Sequence, residues 1–140
     1  MRKRRLCTVC AAAMLLLTGC SRGKLYDEPE EFPELQTGTY VNPDDPEDSY
    51  VTVLYDGREY VLYGTQSKTI RDSMIAACVG YLDGDTNERV YTLTDTTDYI
   101  AEFYVNGIME QVNFLRAADT IGKDADTPDY ISSLDYDIWK

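Results

Sequence analysis

The residue types that carry most protein chemistry are unevenly represented in this chain. Its 140 residues include 25 Asp and Glu residues but no histidine. Without imidazole, Ser-His-Asp and Cys-His nucleophile pairs and nearly all zinc sites are excluded. With so many carboxylates some pair must lie close in space, so their number alone does not indicate a glycoside-hydrolase site. We predict no catalytic residue, no cofactor, no metal and no enzymatic activity, with a small carboxylate-based hydrolase as an alternative.

The four cysteines differ in the chemistry that their positions allow. Cys7 and Cys10 lie in an apolar N-terminal run, Cys20 follows that run, and only Cys78 lies in the rest of the chain. Cys78 has apolar neighbours and no adjacent basic residue, so we expect a buried, unactivated thiol with a structural role. One remaining thiol cannot form an internal disulfide, so the fold must be stabilised by packing.

Acidic residues recur at every second position in one short segment. Asp83, Asp85 and Asn87 match the first three alternating ligands of an EF-hand calcium loop. That loop also needs Gly at its sixth position and Glu at its twelfth, where this chain has Glu88 and Thr94. An acidic hairpin turn is therefore the preferred interpretation, and calcium binding is an alternative that the sequence leaves open.

The N-terminal residues have the order of features that directs a protein out of the cytoplasm. Basic residues occupy positions 2–5, and an apolar run over 6–17 follows. The run is too short for a transmembrane helix, which needs about 20 residues. We therefore predict that residues 1–19 form a signal peptide that is removed.

The end of this segment resembles the lipobox of bacterial lipoproteins. Leu17, Thr18, Gly19 and Cys20 supply the Leu, the hydroxyl residue, the Gly and the required Cys in order. The resemblance implies cleavage between Gly19 and Cys20 and a diacylglyceryl group on the Cys20 sulfur. Two acyl chains hold a protein stably, because each buried methylene contributes about 0.8 kcal/mol. The expected location is the cell membrane, with the chain anchored by its N-terminal lipid and facing outside the cytoplasm.

Removal of the signal peptide makes the chain more acidic. The whole chain has 13 basic and 25 acidic residues and a net charge of −12. Loss of four basic residues with the signal leaves nine against 25, a net charge of −16. Such a surface repels nucleic acid and anionic lipid headgroups, so we predict no nucleic-acid partner and attachment through the acyl chains alone. It favours a basic protein partner, although solubility is the preferred explanation of the acidity.

Composition divides the remaining chain into a linker and a domain. Residues 20–49 hold four of the five prolines and many acidic residues, and they bury too little to offset the entropy of ordering. We predict a lipidated N-terminus with an acidic, proline-rich linker there, and a solvated spacer is preferred over a binding tail. Residues 50–140 are predicted to form one β-rich globular domain.

Alternating apolar residues around two tight turns indicate two hairpins. The dipeptides at positions 56–57 and 106–107 are Asp-Gly and Asn-Gly, which tolerate the positive φ angles of a type I′ turn. The register of each hairpin follows from its turn and places apolar residues opposite each other. The predicted pairs are Val51 with Leu62, Val53 with Tyr60, Ala101 with Val112 and Tyr99 with Phe114, while Glu110 stands opposite Phe103.

Shorter patterns complete the predicted fold. Residues 68–77 favour a short helix, and Thr127 before Pro128 has the capping chemistry that starts a second one. Trp139 is expected to pack back on the sheet. We predict a mainly β (α+β) fold, a small antiparallel sheet of about five strands built from hairpins with one or two short helices.

The end of the chain resembles small uncharacterised lipoproteins of Gram-positive bacteria. The resemblance is carried by residues 120–124 (TIGKD), residues 127–131 (TPDYI) and the closing Trp139-Lys140. It implies a domain type and no activity.

The 12 tyrosines all follow Cys20, and several point away from the predicted core face. Tyrosine is enriched in protein interfaces, although cross-strand packing is the preferred explanation. We predict a membrane-anchored extracytoplasmic lipoprotein that acts as a protein-binding module, with an immunity protein against a basic toxin as one form. A structural or envelope-homeostasis lipoprotein is the alternative.

Overall fold

The fold is built from two consecutive antiparallel meanders. The computed structural model describes residues 32–66, 70–105 and 111–140. The strands are β1 (Gln36–Asn42), β2 (Asp45–Tyr55), β3 (Arg58–Gln66), β4 (Ile75–Leu82), β5 (Asp85–Leu93), β6 (Tyr99–Tyr104), β7 (Val112–Ala117) and β8 (Ser132–Ser133). Their order in space is β1-β2-β3-β7-β6-β5-β4, with β8 beside β3. The β3–β7 pairing therefore joins the β1–β3 meander to the β4–β7 meander.

The prediction of a mainly β, antiparallel fold is confirmed, but the predicted numbers of strands and helices are wrong. The residues that the structure describes form a sheet of eight strands instead of about five. In the described ranges, helical backbone is limited to three-residue 3₁₀ turns at Asp72–Met74, Ala118–Thr120 and Asp137–Trp139. None of the helices described in this chain is long and apolar enough to cross a membrane.

In the described residues, a strand begins within each of the two predicted helices. Residues 75–77, expected at the end of the first helix, begin β4 and pair with β5. At the second site the amide of Ile131 donates to the carbonyl of Pro128, which closes a single turn. The next two residues pair with β3 beside Gly64, where a Cβ would lie 2.1 Å from the Ser132 carbonyl oxygen. A long-range backbone pairing therefore overrides the local capping signal.

The sheet begins at Gln36, inside the segment for which composition predicts a linker. β1 and the first five residues of β2 lie within residues 20–49. Their pairing is continuous from Gln36 opposite Leu54 to Val41 opposite Ser49. Backbone hydrogen bonds hold this segment although most of its side chains are exposed, and composition does not reveal such pairing.

The first predicted hairpin is confirmed in turn and register. Asp56 and Gly57 have φ angles of 50° and 76°, as a type I′ turn requires. Val53 pairs with Tyr60 on the neighbouring strand. The pairing ends at Thr52 opposite Val61, so the predicted pair of Val51 with Leu62 is not formed.

The second hairpin joins the predicted strands in a different register. Ala101 pairs with Phe114 rather than with Val112, and Phe103 faces Val112 rather than Glu110. The connection between β6 and β7 is longer than the two-residue turn that the sequence predicts. The observed register differs from the predicted one by two residues, and side chains alternate between faces with a period of two. Each side chain therefore stays on the face for which it was predicted. Glu110 itself lies outside the described residues.

The sheet closes on itself where the segment before β1 meets β4. The amide of Leu35 donates to the Tyr81 carbonyl (2.9 Å), and the Tyr81 amide donates to the Pro33 carbonyl (3.1 Å). This parallel bridge is centred on Glu34 and Tyr81. Gly80 permits the close approach, because a Cβ there would lie 2.6 Å from the Pro33 oxygen.

Each face of the sheet carries a hydrophobic core. The Ile100 core on one face contains Val53, Tyr60, Leu82, Val90, Ile100, Leu115 and Ala117. The Phe114 core on the other face contains Ile70, Ile75, Tyr91, Leu93, Tyr99, Ala101, Phe103, Val105, Val112, Phe114 and Ile131. Residues 121–139 contribute side chains that cover the Phe114 core, with the Tyr130 ring centroid 5.9 Å from that of Phe114. Trp139 packs on the sheet as predicted and donates from Nε1 to the Leu62 carbonyl (3.0 Å).

Candidate functional site

The residues singled out from the sequence are not gathered into one site. Gly19 and Cys20, the predicted cleavage and lipidation residues, lie outside the described residues. Cys78 lies on β4 and is half-buried rather than buried as predicted, and this burial raises the pKa of its thiol. The thiol therefore stays protonated at neutral pH, in agreement with the expectation that it is unactivated.

The acidic segment at residues 83–88 forms the turn between β4 and β5. Asp83 and Gly84 have φ angles of 50° and 72°, so this is a tight hairpin turn. The carboxylate of Asp85 accepts hydrogen bonds from the Asn87 amide (2.9 Å) and the Tyr104 hydroxyl. The hydrogen bond from Tyr104 lowers the pKa of Asp85. Across the described ranges, no group of three or more Cys, Asp or Glu side chains is arranged to hold a metal.

A two-stranded ribbon, formed by residues 36–51 of β1 and β2, extends from the sheet. Only Thr52 to Tyr55 of β2 pair with β3, so residues 45–51 are paired with β1 alone. Farther along, β3 uses the same edge to pair with β8. Among the residues that the structure describes, no strand pairs with the outer edge of either ribbon strand. Free backbone donors and acceptors of this kind can accept a further strand.

One face of the ribbon displays apolar side chains to solvent. Val41 is 49% exposed and Val51 is 65% exposed. Val51 stands two residues before Val53, which is buried in the Ile100 core, so both point to the same face. Thr39 lies opposite Val51 and points to the same face. Val41, two residues after Thr39, therefore points to this face as well. The apolar surface thus continues from the core onto an exposed part of the sheet.

The tip of the ribbon is strongly acidic. Asp44, Asp45, Glu47 and Asp48 surround the turn between β1 and β2. The sequence from Phe32 to Gly57 contains no Lys or Arg. The ribbon therefore combines two exposed valines with a negative charge that no basic side chain of its own strands offsets.

Side-chain hydrogen bonds fix the shape of the tip. The Asp48 carboxylate accepts from the side-chain amide of Asn42 (2.9 Å) and from the hydroxyl of Tyr50 (2.7 Å). The ring of Tyr50 lies 5.1 Å from that of Tyr136, between centroids. Burial, with the hydrogen bond to Asp48, raises the pKa of Tyr50 to about 12. The acidic groups are therefore presented by an ordered surface.

No family model, curated protein or solved structure matches this chain. We therefore infer a function from the geometry of this chain's own residues.

A second polar feature interrupts the face of the Ile100 core. Glu102 on β6 lies between Val90 and Asn113, and the Asn113 side-chain amide donates to its carboxylate. Burial raises the pKa of Glu102. Glu88, two residues along the neighbouring strand from Val90, has its pKa raised by burial and then by the charge of Glu102. A carboxylate-based hydrolase needs one protonated acid and one ionised carboxylate. The pKa values of Glu88 and Glu102 are both raised, so these shifts do not assign the two roles that the hydrolase alternative requires.

The sequence interpretation missed the ribbon and Glu102 for different reasons. The prolines and acids around Val41 mask the alternation of Thr37, Thr39 and Val41, which was the one available strand signal. Glu102 alternates with Ala101 and Phe103 as an ordinary outward residue would, because the sequence does not show that this sheet buries both faces.

Proposed function

We propose that the chain is a membrane-anchored extracytoplasmic lipoprotein whose ribbon binds a basic protein. The observation that supports this proposal is the exposed pair Val41 and Val51 beside the acidic tip, on strands with free outer edges. The anchoring part of the proposal depends on the lipobox-like residues 17–20.

Each property of the ribbon has a role in recognition. The acidic tip attracts a basic partner and increases the rate of encounter, most strongly at low salt. Burial of the two valines supplies affinity at about 25 cal/mol per Å² of apolar surface. The free edges supply backbone hydrogen bonds that can fix the orientation of the partner. An immunity protein that neutralises a basic toxin is one form of this function.

Site-specific photocrosslinking in the cells that produce the protein tests the proposal. A photoreactive amino acid replaces Val51 in the full chain, and a matched chain carries it at Asp129, an exposed residue of the C-terminal segment. The expected result is one predominant crosslinked protein at position 51, absent at position 129 and basic when identified by mass spectrometry. A structural lipoprotein without a partner would give no position-specific product.

Charge reversal tests whether binding depends on the acidic residues of the ribbon tip or on the net charge of the whole chain. The pair Asp44→Lys and Glu47→Lys should reduce the yield of the crosslink by at least about tenfold, because it replaces attraction by repulsion. The control pair Asp126→Lys and Asp129→Lys makes the same change in net charge on the C-terminal segment and should leave the yield unchanged. Equal losses in both pairs, or an acidic crosslinked protein, would contradict the proposal.

A further inference from the structure

A cavity lined by basic side chains interrupts the acidic surface near the end of the chain. The basic residues in the described ranges are Arg58, Arg71, Arg89, Arg116, Lys123 and Lys140. Three of them line one open cavity of about 420 Å³, whose walls consist of Arg116, Gly122, Lys123, Asp124, Trp139 and Lys140. The lining side chains comprise three cations and one carboxylate, so together they carry a net positive charge in a chain whose net charge is −12.

Arg116 is held rigidly at the inner side of this cavity. Its guanidinium carbon lies 4.9 Å from the ring centroid of Trp139 and 5.5 Å from that of Tyr63. Its Nε donates to the Thr120 hydroxyl (2.8 Å), and its Nη2 donates to the carbonyls of Thr120 (3.0 Å) and Lys123 (2.8 Å). The residue is only 8% exposed. Its position is therefore set by two aromatic rings and three hydrogen bonds.

This buried cation lacks a matching anion. Its hydrogen bonds use Nε and Nη2, whereas Nη1 donates to no oxygen of the residues described in the structure. None of the carboxylates described in the structure lies within ion-pair distance of Arg116. Nη1 of Arg116 is not cut off from solvent. A solute that enters the cavity can therefore reach the guanidinium, whose positive charge no neighbouring carboxylate balances. An anion in the cavity beside Arg116 would provide the missing partner.

The other two cations can turn toward such an anion. Lys123 Nζ donates to the Asp119 carbonyl (2.7 Å) at an exposed position. Lys140 Nζ pairs with the Asp137 carboxylate (2.7 Å), and both side chains are largely exposed. Exposed hydrogen bonds and ion pairs of this kind contribute little to stability, so both ammonium groups can be redirected at small cost.

We propose that this cavity binds the phosphate group of a small soluble molecule. The three cations come from β7, from the loop that follows it and from the last turn. Their donor groups therefore approach the cavity from different directions and do not lie in one plane as those of a single guanidinium do. A phosphate carries a charge of about −2 and three acceptor oxygens in tetrahedral geometry, whereas a carboxylate is planar and carries −1. The net charge of the wall and its separated donors therefore match a phosphate better than a carboxylate.

Trp139 provides a direct readout because it is the single tryptophan of the chain. The full chain, purified in detergent micelles, is titrated with inorganic phosphate at an ionic strength held constant with chloride. A saturable change in tryptophan fluorescence is expected, with acetate at least about tenfold weaker. Micelles doped with phosphatidic acid form the second arm. A response to the doped micelles without a response to free phosphate would overturn the proposal by assigning the site to a lipid headgroup.

Two single substitutions test whether the response comes from this cavity. Lys123→Gln removes an exposed lining cation and should weaken phosphate binding by about tenfold, the cost of one charge-assisted hydrogen bond. Arg71→Gln removes an exposed cation outside the lining and should leave the affinity unchanged. A response that does not saturate, an equal response to acetate, or equal losses in the two variants would overturn the proposal.

Discussion

Glu102 is an ionisable side chain in a mostly buried position, where its charged form is unfavourable. It lies on the face of the Ile100 core and has one described side-chain partner, Asn113. Burial of a carboxyl group disfavours its ionised form, which is why the pKa of Glu102 is raised above the ordinary value of 4.5. Ionisation of this residue at neutral pH therefore reduces the stability of the fold.

Glu102→Gln is expected to stabilise the protein at neutral pH. A group whose pKa is raised in the folded state contributes stability below its unfolded pKa and loses that contribution as the pH rises through the folded pKa. The glutamine variant keeps a carbonyl acceptor for Asn113 and does not ionise. Its free energy of unfolding should equal that of the wild type below the unfolded pKa of Glu102, exceed it by a growing margin up to the folded pKa, and keep that margin at higher pH. Urea denaturation over a pH series measures this difference.

The exposed Glu47 supplies the control for this measurement. Glu47→Gln makes the same chemical change at an exposed position of the ribbon tip. At pH 7 it should change the free energy of unfolding by less than Glu102→Gln does. The pKa of Glu88 should also fall in Glu102→Gln, because the charge of Glu102 contributes to its elevation. A variant that was destabilised at pH 7 would contradict this account of Glu102.

At the scale of elements, the sequence predicts local structure better than pairing between distant segments. The turn at Asp56 and Gly57 was predictable because two adjacent residues determine it. The β3–β7 pairing was not, since it joins strands far apart in sequence and no local pattern encodes it. The same limit applies to the candidate site and to the cavity. Arg116 approaches Tyr63 through the β3–β7 pairing, and it approaches Trp139 because the C-terminal segment packs on the sheet.

Two glycines allow two segments to pack against the sheet, and each can be tested by adding one methyl group. Gly80→Ala places a Cβ 2.6 Å from the Pro33 oxygen, and Gly64→Ala places one 2.1 Å from the Ser132 oxygen. Because backbone must move in both cases, each change should cost about 1–3 kcal/mol in the free energy of unfolding.

Amide hydrogen exchange distinguishes the two substitutions. Gly80→Ala should release the Leu35 amide, which donates to Tyr81, while the Leu134 amide stays protected. Gly64→Ala should increase exchange of the Leu134 amide, which donates to the Tyr63 carbonyl beside β8, while the Leu35 amide stays protected. Unchanged protection of Leu35 in Gly80→Ala would show that closure of the sheet does not depend on this glycine.

At the scale of the whole molecule, charge is separated between two surfaces. The ribbon tip carries four acidic residues and no basic one, whereas half of the described cations line the cavity beside Trp139. A mature chain with a net charge of −16 would gain nothing from anionic lipid. The proposed membrane attachment therefore depends on the acyl chains at Cys20.

Cys20→Ser should abolish both processing and membrane attachment, because a hydroxyl does not replace the sulfur in the thioether. Cell fractionation and the electrophoretic mobility of the chain report the two effects. Cys78→Ser is the matched control and should leave both unchanged, since that thiol lies on β4. A processed, membrane-bound Cys20→Ser protein would contradict the lipoprotein proposal.

The bridge that closes the sheet also determines how the domain would respond to mechanical force. A chain held at its N-terminus and bound to a partner through the ribbon would be under tension whenever the two are pulled apart. Tension entering at Phe32 reaches the hydrogen bonds between residues 33–35 and Tyr81 before it reaches any other pairing in the sheet. These two hydrogen bonds can break, and residues 33–35 can then extend, while the pairing of β1 with β2 stays intact. Breaking of this bridge first would therefore protect the ribbon from unfolding under force.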